Sequence, residues 1–360
     1  MAVRIGVVGV GFGVTVHVPA FQSEGLEVVA ICARHAGRAE AAAKQFGIPQ
    51  VFTDWRELVA SPDLDAVSVV TPTALHHPIA LSALEAGKHV LLEKPFTLNL
   101  DEARSLAEAA AASDRTTMIA HEFRYASARM RAKELIAEGY LGDLRLALVR
   151  LFRDPGPQGT LAAFRGDRDM AASKLGFLHS LGSHYIDGLR HLFGEVTAAS
   201  GEMITFQPDR LGENGEIVKV DADDTFLFRL FFEGGGVAEM VASRQTPFGD
   251  VATMEFYGSA GTLLTPQTGM NPPAHGTLIG GRRGDAALAE LEIPERLQPF
   301  VDDRDDRLMP FRLLTRDFLR GIESGTSPAP NFDDGYACQQ ILDALEESSR
   351  SGGRVAIPSR

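Results

Sequence analysis

The stretch of sequence that decides the fold lies near the amino end and reads Val3-Arg4-Ile5-Gly6-Val7-Val8-Gly9-Val10-Gly11-Phe12-Gly13-Val14. Its first part, residues 3–10, is rich in β-branched residues and predicts a strand. The glycines that follow permit a tight turn and let a pyrophosphate approach the N–H groups at the start of a helix. In a βαβ unit this loop predicts dinucleotide binding. Val14 holds the third motif position, where glycine or alanine is expected, so the close packing of helix on strand is left open.

The pattern that surrounds this loop alternates strands with helices over the first 120 residues. Further strands are predicted at 27–32, 66–70, 88–92 and 116–120, and helices at 36–46, 78–86 and 100–112. Asp54 is expected to cap a short helix, with a plain surface turn as the alternative. Continuous apolar strands separated by helices predict a parallel sheet covered on both faces.

The pattern changes after about Phe123. A helix is predicted at 126–138, a strand at 144–152 and an amphipathic helix at 181–193. Alternating strands follow at 202–206, 225–232, 236–243 and 253–257, then long loops at 267–294 and helices at 310–323 and 333–350. This predicts an open, mainly antiparallel sheet with helices on one face, an α+β domain over residues 123–360 after an α/β domain over residues 1–122. The last helices are expected to pack back on the first domain.

The bulk composition limits the partners. The chain has 360 residues and a net charge of −13, and an acidic protein is repelled by nucleic acids and by anionic membranes. No stretch has the length of a transmembrane helix, and the amino end runs directly into a strand, so no signal peptide is expected. Cys32 lies in a predicted strand and Cys338 in a predicted helix. We therefore expect no disulfide between them, and we expect a cytoplasmic location.

The residues after the second predicted strand bear on the choice of cofactor. They read Cys32-Ala33-Arg34-His35, with Arg38 one turn later. A carboxylate in this region would hold the ribose hydroxyls of NAD, whereas an arginine accommodates a 2′-phosphate. The sequence therefore predicts a preference for NADP, with NAD as the alternative. Arg34 and Arg38 as solvated charges at a helix start are the competing interpretation.

A charged pair and a proline, Glu93-Lys94-Pro95, end the predicted strand at 88–92. Proline cannot extend a strand interior, so these charges stand at the carboxyl edge of the sheet. Ligands of open α/β sheets bind at that edge.

Several loose motifs follow one another in a specific order. They are the glycine loop, Thr71-Pro72-Thr73 with His76, Glu93-Lys94-Pro95, residues 120–125 (AHEFRY), Leu141-Gly142-Asp143 and residues 182–187 (GSHYID). With this order and spacing, the chain resembles the Gfo/Idh/MocA family of oxidoreductases over nearly its whole length. The resemblance implies a Rossmann domain, an open antiparallel sheet that often packs against another subunit, and hydride transfer on sugars, cyclitols or related polyols. A homodimer or homotetramer through the sheet is expected.

The resemblance also implies roles for individual residues. Glu93 would contact the nicotinamide ribose, and Lys94 would bridge the cofactor and the substrate hydroxyl. The bond that corresponds to Lys94–Pro95 is often cis in members of this family. His184 matches the residue that acts as acid or base in the family. The unperturbed pKa of histidine, near 6.5, suits proton exchange near neutral pH. Beyond the glycine loop and the two arginines, the implied cofactor contacts are Thr71, Pro72, His76, Glu93, Lys94 and Arg124.

One departure from the family concerns the residues that would transfer the proton of the substrate hydroxyl. Many members carry aspartate four residues before the catalytic histidine, and this chain has Ser180, preceded by His179. Either His184 and Lys94 handle the proton alone, or His179 contributes. Phe164 and Arg165 are further candidates for substrate contacts, with a surface loop as the alternative.

Other functions remain open at this stage. The departure at Ser180 leaves room for a lyase or glycosidase that uses transient oxidation, and a non-catalytic cofactor-binding protein is the third possibility. His184, Asp187 and His191 share one helix face, as metal ligands would, but support of His184 is the favoured interpretation and no metal is predicted. The acidic run at 221–224 lacks calcium-loop spacing and is interpreted as a solvated strand start.

Overall fold

The structure, a computed structural model, describes residues 2–155, 175–211, 216–267 and 269–358. The chain forms two compact units. The first comprises residues 1–122 and 302–339, and the second comprises residues 123–301 and 340–360. Residues 302–339 therefore belong with the amino-terminal unit, although they follow the second unit in the chain.

The first unit is built on a six-stranded sheet. Its strands are β1 (Arg4–Val8), β2 (Glu27–Cys32), β3 (Gln50–Phe52), β4 (Ala66–Val69), β5 (His89–Leu92) and β6 (Thr117–Ile119). All pairs are parallel, in the order β3-β2-β1-β4-β5-β6. The chain leaves β1 towards β2 and β3 on one side and returns to β4 on the other, which creates a topological switch point between β1 and β4. The predicted α/β fold is confirmed, and β3 was not predicted because three residues carry too little pattern.

Helices join these strands. They are α1 (Val18–Ser23), α2 (Ala36–Phe46), α3 (Trp55–Ala60), α4 (His76–Glu85) and α5 (Leu100–Ala111). Asp54 caps α3 by accepting a hydrogen bond from Arg56 N, as predicted, and Asn99 caps α5 by accepting from Glu102 N. Side-chain oxygens at these positions satisfy N–H groups that have no partner within the helix. The helices cover a core that includes Val67, Val90 and Phe96.

The second unit contains a larger sheet. Its strands, and a short ribbon beside them, are β7 (Leu144–Arg153), β8 (Val196–Ile204), β9 (Asp209–Leu211), β10 (Ile217–Lys219), β11 (Thr225–Phe232), β12 (Val237–Ser243), β13 (Asp250–Gly258), β14 (Gly261–Pro266), β15 (Leu278–Arg282), β16 (Ala289–Leu291) and β17 (Val355–Ala356). The nine-stranded sheet has the order β16-β15-β14-β13-β7-β12-β11-β8-β17, and β9 pairs only with β10.

One pair in this sheet departs from the antiparallel expectation. β7 lies between β12 and β13, pairing parallel with β12 and antiparallel with β13. Because β12 and β13 run in opposite directions, a strand placed between them must be parallel to one of the two. The sheet is thus mixed and mainly antiparallel, and the predicted class is confirmed.

The helices of the second unit and of the carboxyl-terminal region complete the structure. They are α6 (Ser127–Ala137), α7 (Ser183–Phe193), α8 (Leu308–Ser324) and α9 (Phe332–Ser351), and α8 belongs to the first unit. Phe193 of α7 packs against Phe232 and Phe256 on one face of the sheet. Leu146, Leu227 and Val251 stand exposed elsewhere on its strands.

The interpretation of residues 267–294 as loops was wrong in part, since β15 and β16 lie within them. β15 contains Gly280 and Gly281, which pair with Leu263 and Thr262 of β14. A side chain at Gly280 would come within 2.8 Å of Leu263 Cδ2. Close strand packing requires glycine at this point, and glycine hides the alternation by which a strand is predicted.

Candidate active site

The glycine loop begins at a position that only glycine can occupy. Gly9 has φ +123°, and a Cβ there would lie 2.0 Å from the carbonyl oxygen of Val70. Its N–H donates to the carbonyl of Cys32 at 2.9 Å. These contacts hold the turn between the ends of β1, β2 and β4, next to the switch point.

The close packing of helix on strand, which Val14 left open, occurs at the neighbouring residue Gly13. Gly13 is buried, and a Cβ there would approach Val7 Cγ1 to 3.1 Å, so the chain packs closely at Gly13. The helix opens with a π-helical turn over Gly13–His17 before α1. Gly11, by contrast, is exposed with no atom within 4 Å of its Cβ position, so the loop backbone is accessible to a ligand.

The end of β2 presents both predicted arginines to solvent. Arg34 and Arg38 are exposed, and their guanidinium groups have no ion-pair partner within the described part of the chain. Burial raises the pKa of the Cys32 thiol to about 12, and the charges of Asp54 and Glu57 add to the effect. Cys32 is therefore an unreactive thiol. Neither cysteine forms a disulfide.

His76 links the segments that follow β4 and β5. The ring is buried, with Nε2 2.9 Å from the carbonyl oxygen of Thr71 and Nδ1 2.9 Å from that of Pro95. Burial lowers the pKa of this imidazole, against the raising effect of these carbonyls and of Glu93. His76 thus contacts the backbone on both sides. Thr71 is half-buried and Pro72 is exposed at the carboxyl edge.

Glu93 is the anchor of the charged pair that ends β5. It is 6% exposed, and its Oε1 lies 2.9 Å from Nε2 of the fully buried His17. The other nitrogen of His17 lies 2.8 Å from Ser68 Oγ. Burial alone would raise the pKa of Glu93, but the hydrogen bond and charge of His17, together with Lys94, hold it below its ordinary value. Glu93 is therefore a fixed carboxylate.

Lys94 follows on the same backbone. Its N–H donates to Glu93 Oε2 at 3.1 Å, its side chain is half-buried, and the Lys94–Pro95 bond is cis. An ammonium group is thereby placed at the carboxyl edge of the sheet.

A second carboxyl group at this edge was missed by the sequence interpretation. Glu122 follows β6, the neighbour of β5, and is 3% exposed. Burial, reinforced by the charge of Glu93, raises the pKa of Glu122 to about 8, despite the opposing charges of Lys94 and Arg307. At neutral pH it is mostly protonated. A carboxylate directly after a strand of the parallel sheet is the signal that could have identified it.

The second unit carries His184 on the first turn of α7. The side chain is 2% exposed and stacks on Phe123, with ring centroids 3.8 Å apart and 11° between the planes. Arg129 lies over the same phenylalanine, with Cζ 5.4 Å from the ring centroid. The stack fixes the orientation of the imidazole.

Arg124 is engaged by a buried carboxylate of α7. Its Nε and Nη2 donate to Asp187 at 2.7 and 2.5 Å, and Nη1 lies 3.4 Å from His191 Nδ1. Asp187 is fully buried, so the pair is bidentate and shielded from water. Asp187 thus supports Arg124. Among the described residues, no group of three His, Cys, Asp or Glu side chains could hold a metal ion.

His179 and Ser180 lie in a π-helical turn, Leu178–Gly182, that precedes α7. Burial lowers the pKa of His179 to about 4, so its ring is neutral near pH 7. Its Nε2 lies 3.3 Å from Glu346 Oε1. Ser180 Oγ donates to the carbonyl of Phe177 at 3.3 Å. Phe164 and Arg165 lie outside the described residues.

The interpretation of the acidic run at 221–224 as a solvated segment holds for the exposed Asp221 and was wrong for Asp223 and Asp224. Asp223 is 6% exposed and accepts a hydrogen bond from Leu178 N at 2.8 Å, at the start of the segment that carries His179 and His184. Asp224 is fully buried and accepts from the N–H groups of Phe206 and Gln207. The carboxylates are buried because they satisfy backbone donors at chain turns.

Comparison with known protein families places this arrangement in a class. A profile described as an oxidoreductase family with an NAD-binding Rossmann fold matches residues 3–121, and one for the GFO/IDH/MocA C-terminal domain matches residues 130–264. Together they cover more than half of the chain. The protein is an oxidoreductase with an NAD-binding domain. The chain belongs to the Gfo/Idh/MocA family, which confirms the resemblance.

Individual relatives extend over almost the whole chain. An uncharacterised oxidoreductase of Synechocystis is 29% identical over 359 residues, covering 98% of this chain and 96% of the relative. Levoglucosan dehydrogenase of Pseudarthrobacter phenanthrenivorans is 28% identical, covering 89% and 87%. A solved levoglucosan dehydrogenase in complex with NADH and levoglucosan has a TM-score of 0.89 at 25% identity, covering 100% of both chains.

The family match confirms the prediction of an oxidoreductase with an NAD-binding Rossmann domain. No helix in the described parts of the chain is long and apolar enough to cross a membrane.

Proposed function

We propose that this protein transfers a hydride between NADP and a hydroxyl or carbonyl group of a sugar, cyclitol or related polyol. Lys94 holds the substrate oxygen, and His184 exchanges its proton. The single observation that carries the proposal is the position of Lys94 at the carboxyl edge of the sheet, where its backbone N–H donates to the buried Glu93. The substrate class is supported by structures of a levoglucosan dehydrogenase with NADH and levoglucosan or L-sorbose, which is 25% identical to this chain.

Lys94 supplies positive charge where negative charge develops. When an alcohol loses its proton and hydride, the oxygen passes through an alkoxide-like state that an ammonium stabilises. Because Glu93 is anchored by His17, the backbone that carries Lys94 is held in place before substrate binds. A bound nicotinamide supplies the hydride acceptor or donor.

His184 is the proposed acid or base. An imidazole changes its charge near neutral pH, and the stack on Phe123 orients the ring. His179 is a weak base because its pKa is about 4, and Ser180 carries a hydroxyl in place of the carboxylate of many relatives. We therefore assign the proton to His184 and Lys94 alone.

The proposed cofactor contacts are those given by the sequence. The glycine loop would hold the diphosphate, Arg34 and Arg38 a 2′-phosphate, and Glu93 the nicotinamide ribose. Thr71 and Pro72 line the same edge by their backbone. His76 acts by fixing that backbone, and Arg124 acts as a buried pair with Asp187.

The cofactor preference is tested by fluorescence titration of the apoprotein with NADPH and NADH. We expect tighter binding of NADPH, and we expect Arg34→Gln to reduce its advantage about tenfold, since a charge-assisted hydrogen bond contributes about 1.5–3 kcal/mol. Glu40→Gln, at an exposed position of α2, serves as a control. Tighter binding of NADH by the wild-type protein would refute the preference.

The reaction is tested by a screen of sugars and cyclitols for cofactor reduction. We expect at least one to be oxidised with stoichiometric formation of reduced cofactor. Tight retention of cofactor through purification, with no net reduction by any substrate but cleavage of a glycoside, would instead favour the transient-oxidation chemistry.

A further inference from the structure

The carboxyl-terminal part of the first unit places a cation on the glycine loop. Arg307 lies immediately before α8, and its Cζ is 4.8 Å from the centroid of the Phe12 ring. Phe12 stands between Gly11 and Gly13. No sequence motif identifies Arg307, because residues 123–301 of the second unit separate it from the glycine loop in the chain.

The aromatic packing around the loop fixes this position. Phe12 contacts Phe311 of α8, with ring centroids 6.5 Å apart, and His17 contacts the same phenylalanine at 4.2 Å. His17 is also the partner that anchors Glu93. The start of α8, the glycine loop and the end of β5 are therefore parts of one packed block.

The guanidinium is oriented by its own neighbour. Nε and Nη2 of Arg307 donate to the two carboxylate oxygens of Asp305 at 2.8 and 2.6 Å. This bond raises the pKa of Arg307, with further contributions from Asp305, Glu122 and Glu93. A guanidinium has five N–H donors, and Asp305 engages one edge. Within the described residues, Nη1 of Arg307 has no hydrogen-bond acceptor, and the side chain is 36% exposed.

A cation next to the glycine loop would attract a negatively charged dinucleotide. The chain carries a net charge of −13, and a dinucleotide brings further negative charge to a loop that offers only backbone dipoles. An arginine presents several N–H donors to phosphate oxygens in a planar fork. The guanidinium of Arg307 packs on Phe12 of this loop.

We propose that Arg307 binds the diphosphate of the dinucleotide cofactor, with Phe12 supporting the plane of its guanidinium. The inference rests on the proposed function in one respect, namely that the glycine loop holds the diphosphate.

The test is isothermal titration of Arg307→Gln with NADPH, NADH, ADP and adenosine. We expect affinity for the three diphosphate ligands to fall about tenfold or more, as for loss of a charge-assisted hydrogen bond, and affinity for adenosine to be unchanged. Arg304→Gln is the matched control, since Arg304 lies in the same segment but pairs with Asp302 and Ser23. It should bind all four ligands as the wild type does.

The outcomes separate this inference from the proposed function. Wild-type affinity for ADP in Arg307→Gln overturns the assignment, and so does an equal loss for adenosine. Should Arg307→Gln fail to fold, Arg307→Lys keeps the charge and removes the fork, and wild-type affinity for ADP in that variant also overturns the inference. If the wild-type protein binds none of the diphosphate ligands, the proposed function fails as well.

Discussion

Gly9 and Gly11 differ in what a side chain would meet in the glycine loop. At Gly9, with φ +123°, a Cβ would lie 2.0 Å from a backbone oxygen, whereas at Gly11 it would meet no atom within 4 Å. We expect Gly9→Ala to destabilise the apoprotein by about 2 kcal/mol or more, through strain and steric clash. Gly11→Ala should leave the melting temperature unchanged and weaken cofactor binding, because the backbone could no longer be approached closely.

Thermal denaturation and cofactor titration of both variants check this difference. A normal melting temperature for Gly9→Ala would contradict the loop geometry. Unchanged cofactor affinity in Gly11→Ala would contradict the role of the loop in binding.

Glu122 gives the stability of the protein a pH dependence of definite sign. Its pKa is about 8 in the folded protein, above the ordinary value of 4.5, because burial and the charge of Glu93 outweigh the opposing charges of Lys94 and Arg307. Between pH 4.5 and 8, the carboxyl group of Glu122 is therefore protonated in the folded state and ionised in the unfolded state. The stability contributed by Glu122 is complete below pH 4.5 and is lost as pH rises through 8, on the order of a few kcal/mol.

Glu122→Gln should therefore lose less stability than the wild type between pH 5 and 9. Calorimetric melting temperatures of the two apoproteins across this range test the prediction. Glu85→Gln, at an exposed position, controls for loss of a carboxylate and should follow the wild type. Parallel curves for Glu122→Gln and wild type would show that Glu122 titrates normally.

The residues with a clear signal in the sequence are those that end a strand. Gly9 and Lys94 were identified because a glycine run or a charge after a buried strand is unusual. The contacts that Arg124, His76 and Glu122 make within the protein could not be predicted, because their partners lie at distant chain positions or on the backbone. Which way such a side chain points is decided by packing.

At the level of elements, regular patterns were predicted well and irregular ones were not. The predicted bounds of α2, β2 and β11 agree with the structure, since each has a full period and clear end signals. The π-helical turns before α1 and α7 have no sequence signature of this kind. β15 was missed because of its glycines, and the parallel pair of β7 and β12 because it depends on a strand from elsewhere in the chain.

One acidic residue at the end of α1 pairs with two arginines of α8. Glu24, only 8% exposed at its side chain, accepts from Arg312 and Arg316 of α8 at 2.6 Å each. Removal of its charge leaves two partly buried guanidinium groups without this partner. We expect Glu24→Gln to destabilise the protein by about 2 kcal/mol and to lower the melting temperature by about 3 °C.

The control for this prediction is Glu347→Gln, which breaks an exposed pair with Arg350 on α9. Surface pairs contribute little, so its melting temperature should equal that of the wild type. Equal melting temperatures for Glu24→Gln and Glu347→Gln would mean that the Glu24 pairs do not hold α8.

At the scale of the whole molecule, the sequence predicted two kinds of sheet and the change of pattern near Phe123. It also led us to expect that the last helices pack back on the first domain, but it did not give the bounds 302–339, because an amphipathic helix does not specify which sheet it covers. The nine-stranded sheet also leaves apolar side chains exposed, including Leu146, Leu227 and Val251. An exposed apolar surface marks an interaction site, and we propose that a second copy of the chain covers it.

Leu227→Glu should then convert the oligomer to a smaller species, because a buried carboxylate without a partner is costly. Sedimentation velocity of the wild type and the variant measures the change. Leu288→Glu, an exposed leucine outside the strands, is the control and should sediment as the wild type does. A monomeric wild-type protein, or an oligomer unaffected by Leu227→Glu, would contradict the proposed interface.

The central claim is that Lys94 stabilises the reacting oxygen in a nicotinamide-dependent oxidation. The most direct test is the single-turnover rate of NADP reduction by an active sugar or cyclitol in wild type and Lys94→Met, with NADPH affinity measured on the same samples. We predict a rate that falls about 10²–10³-fold, as for loss of a group that stabilises an oxyanion, with NADPH affinity within a few-fold of wild type. A Lys94→Met variant that reduces the cofactor at the wild-type rate would contradict the account.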